Sequence, residues 1–175
     1  MDRAPQCQFG IPLPSSAPGN ISVSRNPLRP ITDLLFAEVH VALLNWNHAC
    51  TVGVAAMDAQ HGILMDAMND LGLAIARGAG RDKTTELLNR LLAFSRMHFT
   101  SEEQLMEHYA FPGLDEHRAE HRRLLARLLE SAGSMERGER VAMRPLLGFL
   151  REWFTGHIRR FDHRYGTWLN ERGVY

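Results

Sequence analysis

Four stretches of the sequence repeat apolar residues at steps of three and four, and this period constrains the fold more than any other feature. The stretches run from about residue 57 to 77, 82 to 109, 114 to 134 and 141 to 170, and segments rich in Gly or Pro separate them. Steps of three and four place side chains on one face of an α-helix. Long amphipathic helices joined by short loops pack as antiparallel neighbours. The sequence therefore predicts an all-α, up-down-up-down antiparallel four-helix bundle.

The first 40 residues do not share this pattern. Six prolines fall within residues 1–30, among Ser, Gly and Asn, and such a composition buries too little apolar surface to fold by itself. We therefore expect a flexible N-terminal extension over residues 1–40 and a four-helix bundle over residues 41–175. Three interpretations of the extension stay open at this point: a wrongly assigned translation start, a dispensable tail, or a docking segment.

Composition excludes several classes of partner. Twenty basic and twenty acidic residues give a formal net charge of zero, so no long-range field draws in nucleic acid. No apolar run approaches the roughly 20 residues that span a bilayer, and we expect a cytoplasmic protein. Cys7 and Cys50 lie far apart and indicate neither a disulfide framework nor a zinc ribbon.

Histidines interrupt the apolar stripe of every predicted helix. A buried imidazole costs free energy unless it has a partner, and one such residue would be an ordinary hydrogen-bonded core histidine. Five of them at matching depth on four helices indicate a metal site. They are His61, His98, His117, His121 and His157.

Two carboxylates accompany these imidazoles. Glu102 lies one helical turn after His98 and shares its face. Asp162 follows His157 by five residues, which in an α-helix places it about 140° away, so only a local distortion such as a π-turn would bring it inward. Imidazoles with a few carboxylates suit iron, copper, zinc or nickel. Five imidazoles are too many for one ion, so we expect two metal ions with bridging carboxylates.

Four motifs together carry a resemblance to a known family. The stretch NWNHACTVGVAAMDAQH is similar to an opening segment with Trp, Val-Gly and Asp-x-x-His, and HFTSEE to a His-Phe-x-x-Glu-Glu motif. The stretches HRAEH and WFTGHIRRFD are similar to His-x-x-x-His and Trp-x-x-x-His-Ile-x-x-x-x-Asp motifs. Over about residues 42–175 the chain resembles the bacterial hemerythrins.

This resemblance implies reversible dioxygen binding at a non-haem di-iron centre with a bridging oxo or hydroxo group, without enzymatic turnover, for oxygen storage, transport or delivery. It implies that one saturated iron is held by His117, His121 and His157, and the other, with an open position, by His61 and His98. Glu102 and Asp162 would bridge the two ions. Residues next to the ligands would line a dry oxygen pocket, namely Leu64, Phe99, Phe154 and Ile158.

Other functions stay open. An oxygen or redox sensor would signal to a partner protein, and a delivery protein would meet an oxygen-consuming enzyme. A ferritin-like di-iron oxidase or iron-storage protein uses mostly carboxylates with Glu-x-x-His motifs, and the sequence contains none. We expect the remaining polar residues on the surface, namely His40, His48, His108, His163, Glu103 and Glu107, and we expect Asp58 as a cap or an outer partner.

Deletion of residues 1–40 should leave iron binding and thermal stability nearly unchanged, because no predicted ligand or core residue is lost. Iron titration and thermal unfolding of the shortened chain check this. A fall of several degrees in melting temperature, which corresponds to roughly 1 kcal/mol in a domain of this size, would show that the segment packs on the bundle.

Overall fold

The computed structural model describes residues 44–45 and 50–175. The extension, its boundary at residue 40, and the residues Trp46, His40 and His48 lie outside the described part. The described helices are α1 (Ala55–Ala76), α2 (Arg81–His108), α3 (Leu114–Glu136), α4 (Met143–His157) and α5 (His163–Asn170). A π-helical turn, Ile158–Asp162, joins α4 to α5.

The helices form the predicted bundle, with α4, the π-turn and α5 together making its fourth rod. Short loops connect the rods, α1 packs against α2, α2 against α3, and α4 returns to α1. The core is mostly leucine from all four rods, including Leu71, Leu88, Leu91, Leu124, Leu128, Leu146, Leu150 and Leu169, none more than 2% exposed. No helix in the described part of the chain is long and apolar enough to cross a membrane.

Three of the helices end in the same way. At the end of α1, Gly78 adopts a φ of 71°, and the N–H groups of Gly78 and Ala79 donate to the carbonyls of Ile75 and Ala74. Gly138 does the same after α3 with a φ of 79°. Ala110 takes this position after α2 with a φ of 50°, a conformation that disfavours a side chain. These turns reverse the chain within a few residues, which makes neighbouring helices antiparallel.

The period of the sequence predicted one continuous α-helix over about residues 141–170, but a π-turn interrupts the fourth rod. The N–H of His163 bonds to the carbonyl of Ile158, five residues earlier, which is the hydrogen bond of a π-helix. The wider turn changes the direction in which the following residues point. Asp162, which a regular α-helix would direct away from His157, is fully buried as a result. The π-turn that an inward Asp162 requires is therefore present.

The segment before α1 is hydrogen-bonded to both α1 and α5. Asp58 accepts backbone N–H bonds from Val52 (2.7 Å) and Gly53 (3.2 Å), so it holds this loop and is an outer partner of the site at most. Asn170 of α5 donates to the Gly53 carbonyl at 2.8 Å. The close approach depends on Gly166, where an added Cβ would lie 2.4 Å from the Val52 carbonyl oxygen.

Replacing Gly166 with Ala should therefore destabilise the fold by about 1–3 kcal/mol, because backbone must move to relieve the contact. Gly148, which is exposed in α4 and has nothing within 4 Å of an added Cβ, is the matched control. Gly148→Ala should be neutral or stabilise by about 0.5–1 kcal/mol through helix propensity. Thermal unfolding of both variants decides, and equal melting temperatures would contradict the packing argument.

Candidate metal centre

Seven predicted side chains converge inside the bundle. They are His61 from α1, His98 and Glu102 from α2, His117 and His121 from α3, His157 from α4 and Asp162 from the π-turn, and none is more than 2% exposed. Four rods thus supply one polar cluster within an otherwise apolar core. The sequence placed six of these residues on inward faces and Asp162 there only on condition of a π-turn, and the described structure brings all seven together.

Three imidazoles and one carboxylate form the first group. One donor atom each from Glu102, His117, His121 and His157 lies within 4.8 Å of the others. The Oε2 atom of Glu102 lies 3.2 Å from His117 Nε2 and 3.1 Å from His121 Nε2. The Nε2 atoms of His121 and His157 are 3.1 Å apart. These nitrogens and this oxygen therefore face a common point.

The second group has two imidazoles. Donor atoms of His61, His98 and Glu102 also lie within 4.8 Å of one another. The two rings meet edge to face with centroids 4.8 Å apart. Glu102 belongs to both groups, so its carboxylate lies between them.

Asp162 also reaches both groups, from the opposite rod. Its Oδ2 lies 3.3 Å from His61 Nε2, and its Oδ1 lies 3.3 Å from His117 Nε2 and 3.0 Å from His157 Nε2. Each of its oxygens therefore contacts a different group. This arrangement exists because the π-turn directs Asp162 inward.

Burial and mutual contact shift the pKa values in the cluster. Burial disfavours protonation of His117, yet its hydrogen bonds to Asp162 and Glu102 outweigh burial and raise its pKa to about 9. Burial lowers the pKa of His98 to about 4, so this ring is neutral at pH 7. Burial opposes ionisation of Glu102, but hydrogen bonds from His117 and His121 hold its pKa below the ordinary value. Both carboxylates are thus kept as anions by imidazoles.

The donor atoms fit a transition-metal site. Within residues 44–45 and 50–175, several wholly buried polar atoms have no hydrogen bond of good geometry, including Glu102 Oε1, both oxygens of Asp162 and His61 Nε2. Such atoms cost free energy unless something pairs with them, and a bound cation would do so. Five imidazole nitrogens with two carboxylates suit iron better than calcium or magnesium.

Two outer partners were not predicted from the sequence. Gln60 Oε1 lies 2.9 Å from Nδ1 of His98, and Glu103 Oε1 lies 2.8 Å from Nδ1 of His121. The expectation that Glu103 is a solvated surface residue was wrong: its side chain is 25% exposed, and the hydrogen bond from His121 lowers its pKa. Glu107 and His108 are exposed as expected. Gln60 and Glu103 each adjoin a predicted site residue, which is the one signal the sequence offered.

Two further residues border the cluster from α4 and α5. Tyr165 is fully buried, and its hydroxyl finds no hydrogen-bond partner in the described part of the chain. Burial beside Glu102 and Asp162 raises its pKa far above the ordinary value. Trp153 stacks on His157 with ring centroids 4.7 Å apart.

His163 is only half-buried, with a buried Nε2, which differs from the surface position expected for it.

The four residues predicted to line a pocket are all buried, at 1–2% exposure: Leu64, Phe99, Phe154 and Ile158. Phe154 meets His61 edge to face at 6.1 Å. Phe99 lies 5.5 Å from the His98 ring and stacks on His121 at 3.8 Å, so it contacts both groups. These side chains surround the cluster with apolar surface.

Comparisons with known proteins agree with this geometry. The model of the hemerythrin HHE cation binding domain matches residues 52–169. The chain is 33% identical over 131 residues to the bacteriohemerythrin of Ralstonia nicotianae, covering 75% of this chain and 92% of that protein. It is 31% identical over 133 residues to the bacteriohemerythrin of Methylococcus capsulatus, covering 74% and 99%.

Solved structures add the fold. The crystal structure of a wild-type hemerythrin superposes with a TM-score of 0.69 at 30% identity, covering 72% of this chain and 97% of that one. The matched family model spans the whole polar cluster, from before His61 to beyond Asp162. On its fold, its buried imidazole and carboxylate set and these similarities, the chain belongs to the hemerythrin family.

Proposed function

We propose that this protein binds dioxygen reversibly at two iron ions held by the buried cluster, with His117, His121 and His157 on one ion and His61 and His98 on the other. Glu102 and Asp162 would be shared by the two ions. The observation that carries the proposal is the pair of unequal histidine groups joined by two buried carboxylates, each of which contacts both groups.

The inequality of the groups supports a division of labour. The group of three imidazoles offers one more nitrogen than the group of two, while both share the same carboxylates. An ion held by His61 and His98 would therefore have fewer protein ligands than one held by His117, His121 and His157, and dioxygen would bind at the ion with fewer ligands. Two ferrous ions held by these residues would together supply the two electrons of reversible dioxygen binding.

The surrounding side chains restrain the chemistry. Phe154 meets His61, Phe99 contacts both His98 and His121, and Leu64 and Ile158 are buried apolar residues of the same core. Exclusion of water limits proton delivery to the centre, which favours release of dioxygen over its further reduction. The Tyr165 ring lies 5.6 Å from the His117 ring, and the raised pKa of the buried hydroxyl means that it keeps its proton.

The proposal is one of binding without turnover, for storage, transport or delivery of oxygen in the cytoplasm. Five of the seven proposed ligands are neutral imidazoles when they bind metal, so the site carries less negative charge than a carboxylate-rich oxidase site. A delivery role would add an oxygen-consuming enzyme as partner, and a sensor role a signalling partner.

Binding of metal should release protons from the metal-free protein. His117 has a pKa of about 9, raised from 6.5, so at pH 7 it carries a proton that a metal ion must displace. Apparent affinity for ferrous iron should rise with pH, by up to about tenfold per pH unit per displaced proton, until the pH passes about 9. Anaerobic titrations at several pH values, with proton release followed by an indicator, check this. An affinity that is constant from pH 7 to 9 would contradict it.

The stability of the metal-free fold should change with pH in the opposite direction to the affinity for iron, so it should fall as the pH rises. The stabilisation from protonated His117 is complete below pH 6.5 and is lost as the pH rises through about 9.

The proposed function is tested by anaerobic reconstitution with two equivalents of ferrous iron, followed by exposure to air. We expect two irons per chain and a visible absorption band that appears with air and disappears under vacuum. A band that never reverses would indicate oxidase chemistry, and tight binding of one zinc with no iron would exclude a di-iron site.

Matched variants sharpen this result. Glu102→Ala removes the carboxylate shared by both groups and should abolish paired iron and the reversible band. Glu107→Gln changes an exposed carboxylate on the same helix and should behave as the wild type. Full iron content and a reversible band in Glu102→Ala would contradict the assigned bridge.

A further inference from the structure

The imidazole of His121 is held at both ring nitrogens by consecutive residues of α2. Its Nε2 faces inward, 3.1 Å from Glu102 Oε2, and its Nδ1 faces outward, 2.8 Å from Glu103 Oε1. Phe99 stacks on the flat side of the ring at 3.8 Å and 11°. The position, tilt and rotation of this ring are therefore all fixed by one helix.

The outer nitrogens of the other rings are treated differently. Within the part of the chain that the structure describes, Nδ1 of His117 and Nδ1 of His157 have no hydrogen-bond partner. The outer nitrogen of His98 contacts Gln60, whose carboxamide is neutral. A carboxylate partner thus occurs in the group of three histidines, and its counterpart in the group of two is uncharged.

Glu103 is itself held in place from α3. The Nε atom of Arg118 donates to Glu103 Oε2 at 3.3 Å, and its Nη2 donates to Glu107 Oε2 at 2.9 Å. Arg118 is 29% exposed and Glu103 is 25% exposed, so the pair lies at the edge of the bundle. One oxygen of Glu103 serves the arginine, while the other is left for His121.

We propose that Glu103 is a positioning residue of the metal centre: it accepts the Nδ1–H of His121, fixes the tautomer that turns the Nε2 lone pair inward, and lends negative charge to the three-histidine iron. This inference deepens the proposed function, since it rests on His121 as a metal ligand. It adds an electrical difference between the two irons to the difference in their ligand number.

The physical basis is the two-sided chemistry of imidazole. A neutral ring has one N–H and one lone pair, so a strong acceptor at Nδ1 leaves the lone pair at Nε2. A carboxylate acceptor also increases the basicity of the ring, which strengthens its bond to metal and favours the more oxidised ion. A carboxamide, as at His98, orients the ring without adding charge.

The competing explanation is that Glu103 only forms a surface ion pair with Arg118. Exposed ion pairs contribute little, about 0–1 kcal/mol, and would not affect the electronic properties of a buried centre. Glu107 shares the same arginine but does not contact His121. Glu107 is therefore the control that separates the two explanations.

The experiment compares the iron-loaded wild-type protein with Glu103→Gln, Glu103→Ala and Glu107→Gln. Iron content, affinity and the midpoint potential of the centre are measured without oxygen. Glu103→Gln keeps an oxygen acceptor but loses the charge, so we expect it to retain two irons with a higher midpoint potential. Glu103→Ala loses both, and we expect roughly 10- to 100-fold weaker iron binding. Glu107→Gln should match the wild type in both measurements.

A measurement on the unaltered protein covers the case in which Glu103→Ala fails to fold. In the full chain loaded with Zn²⁺, nitrogen-15 NMR of the histidine rings should show His121 with its proton on Nδ1. A His121 ring without a proton on Nδ1, or midpoint potentials that are equal in Glu103→Gln and Glu107→Gln, would overturn the proposal.

These outcomes are separate from those of the proposed function. A wild-type protein that takes up two irons but never releases oxygen under vacuum would end the proposal of reversible binding. The comparison of Glu103→Gln with Glu107→Gln would still decide the role of Glu103, because it needs no oxygen.

Discussion

Two buried carboxylates at the centre of the bundle determine what the rest of the structure must provide. Glu102 and Asp162 are 0% exposed, and an ionised carboxylate taken out of water costs several kcal/mol unless it is compensated. The compensation comes from imidazoles on three other helical segments, α1, α3 and α4. The same contacts that make the anions tolerable tie the helices to one another. The centre of the fold and the metal site are therefore one set of interactions.

The difference between the two histidine groups extends outward from this centre. His121 has a carboxylate at its outer nitrogen and His98 has a carboxamide, whereas among the described residues nothing bonds to Nδ1 of His117 or His157. A dinuclear centre whose ions are to act differently needs differences in ligand number and in charge. In this bundle the first arises from which helix faces carry histidine, and the second from the residue that follows Glu102.

The sequence predicted the architecture and the inner cluster because both depend on period. Leucines at steps of three and four mark a buried face, and a histidine in that stripe is conspicuous because burial without a partner is costly. The sequence did not distinguish Glu103 in this way. A glutamate next to the buried face of a helix has the same pattern whether its side chain contacts water or the outer nitrogen of a histidine. Asp162 was predicted only on condition of a π-turn, because hydrogen bonding between successive turns depends on packing and not on residue type.

The π-turn acts as a phase shift of one residue in the fourth rod. Counted as a regular α-helix with one residue removed between Ile158 and Phe161, Asp162 would stand four positions after His157, Tyr165 seven and Leu169 eleven. At about 100° per residue, all three then fall within about 40° of His157. The same inserted residue therefore directs both the Asp162 carboxylate and the buried face of α5 toward the core. This segment must therefore preserve the number of residues between His157 and Asp162 more than the identity of any residue inside the turn.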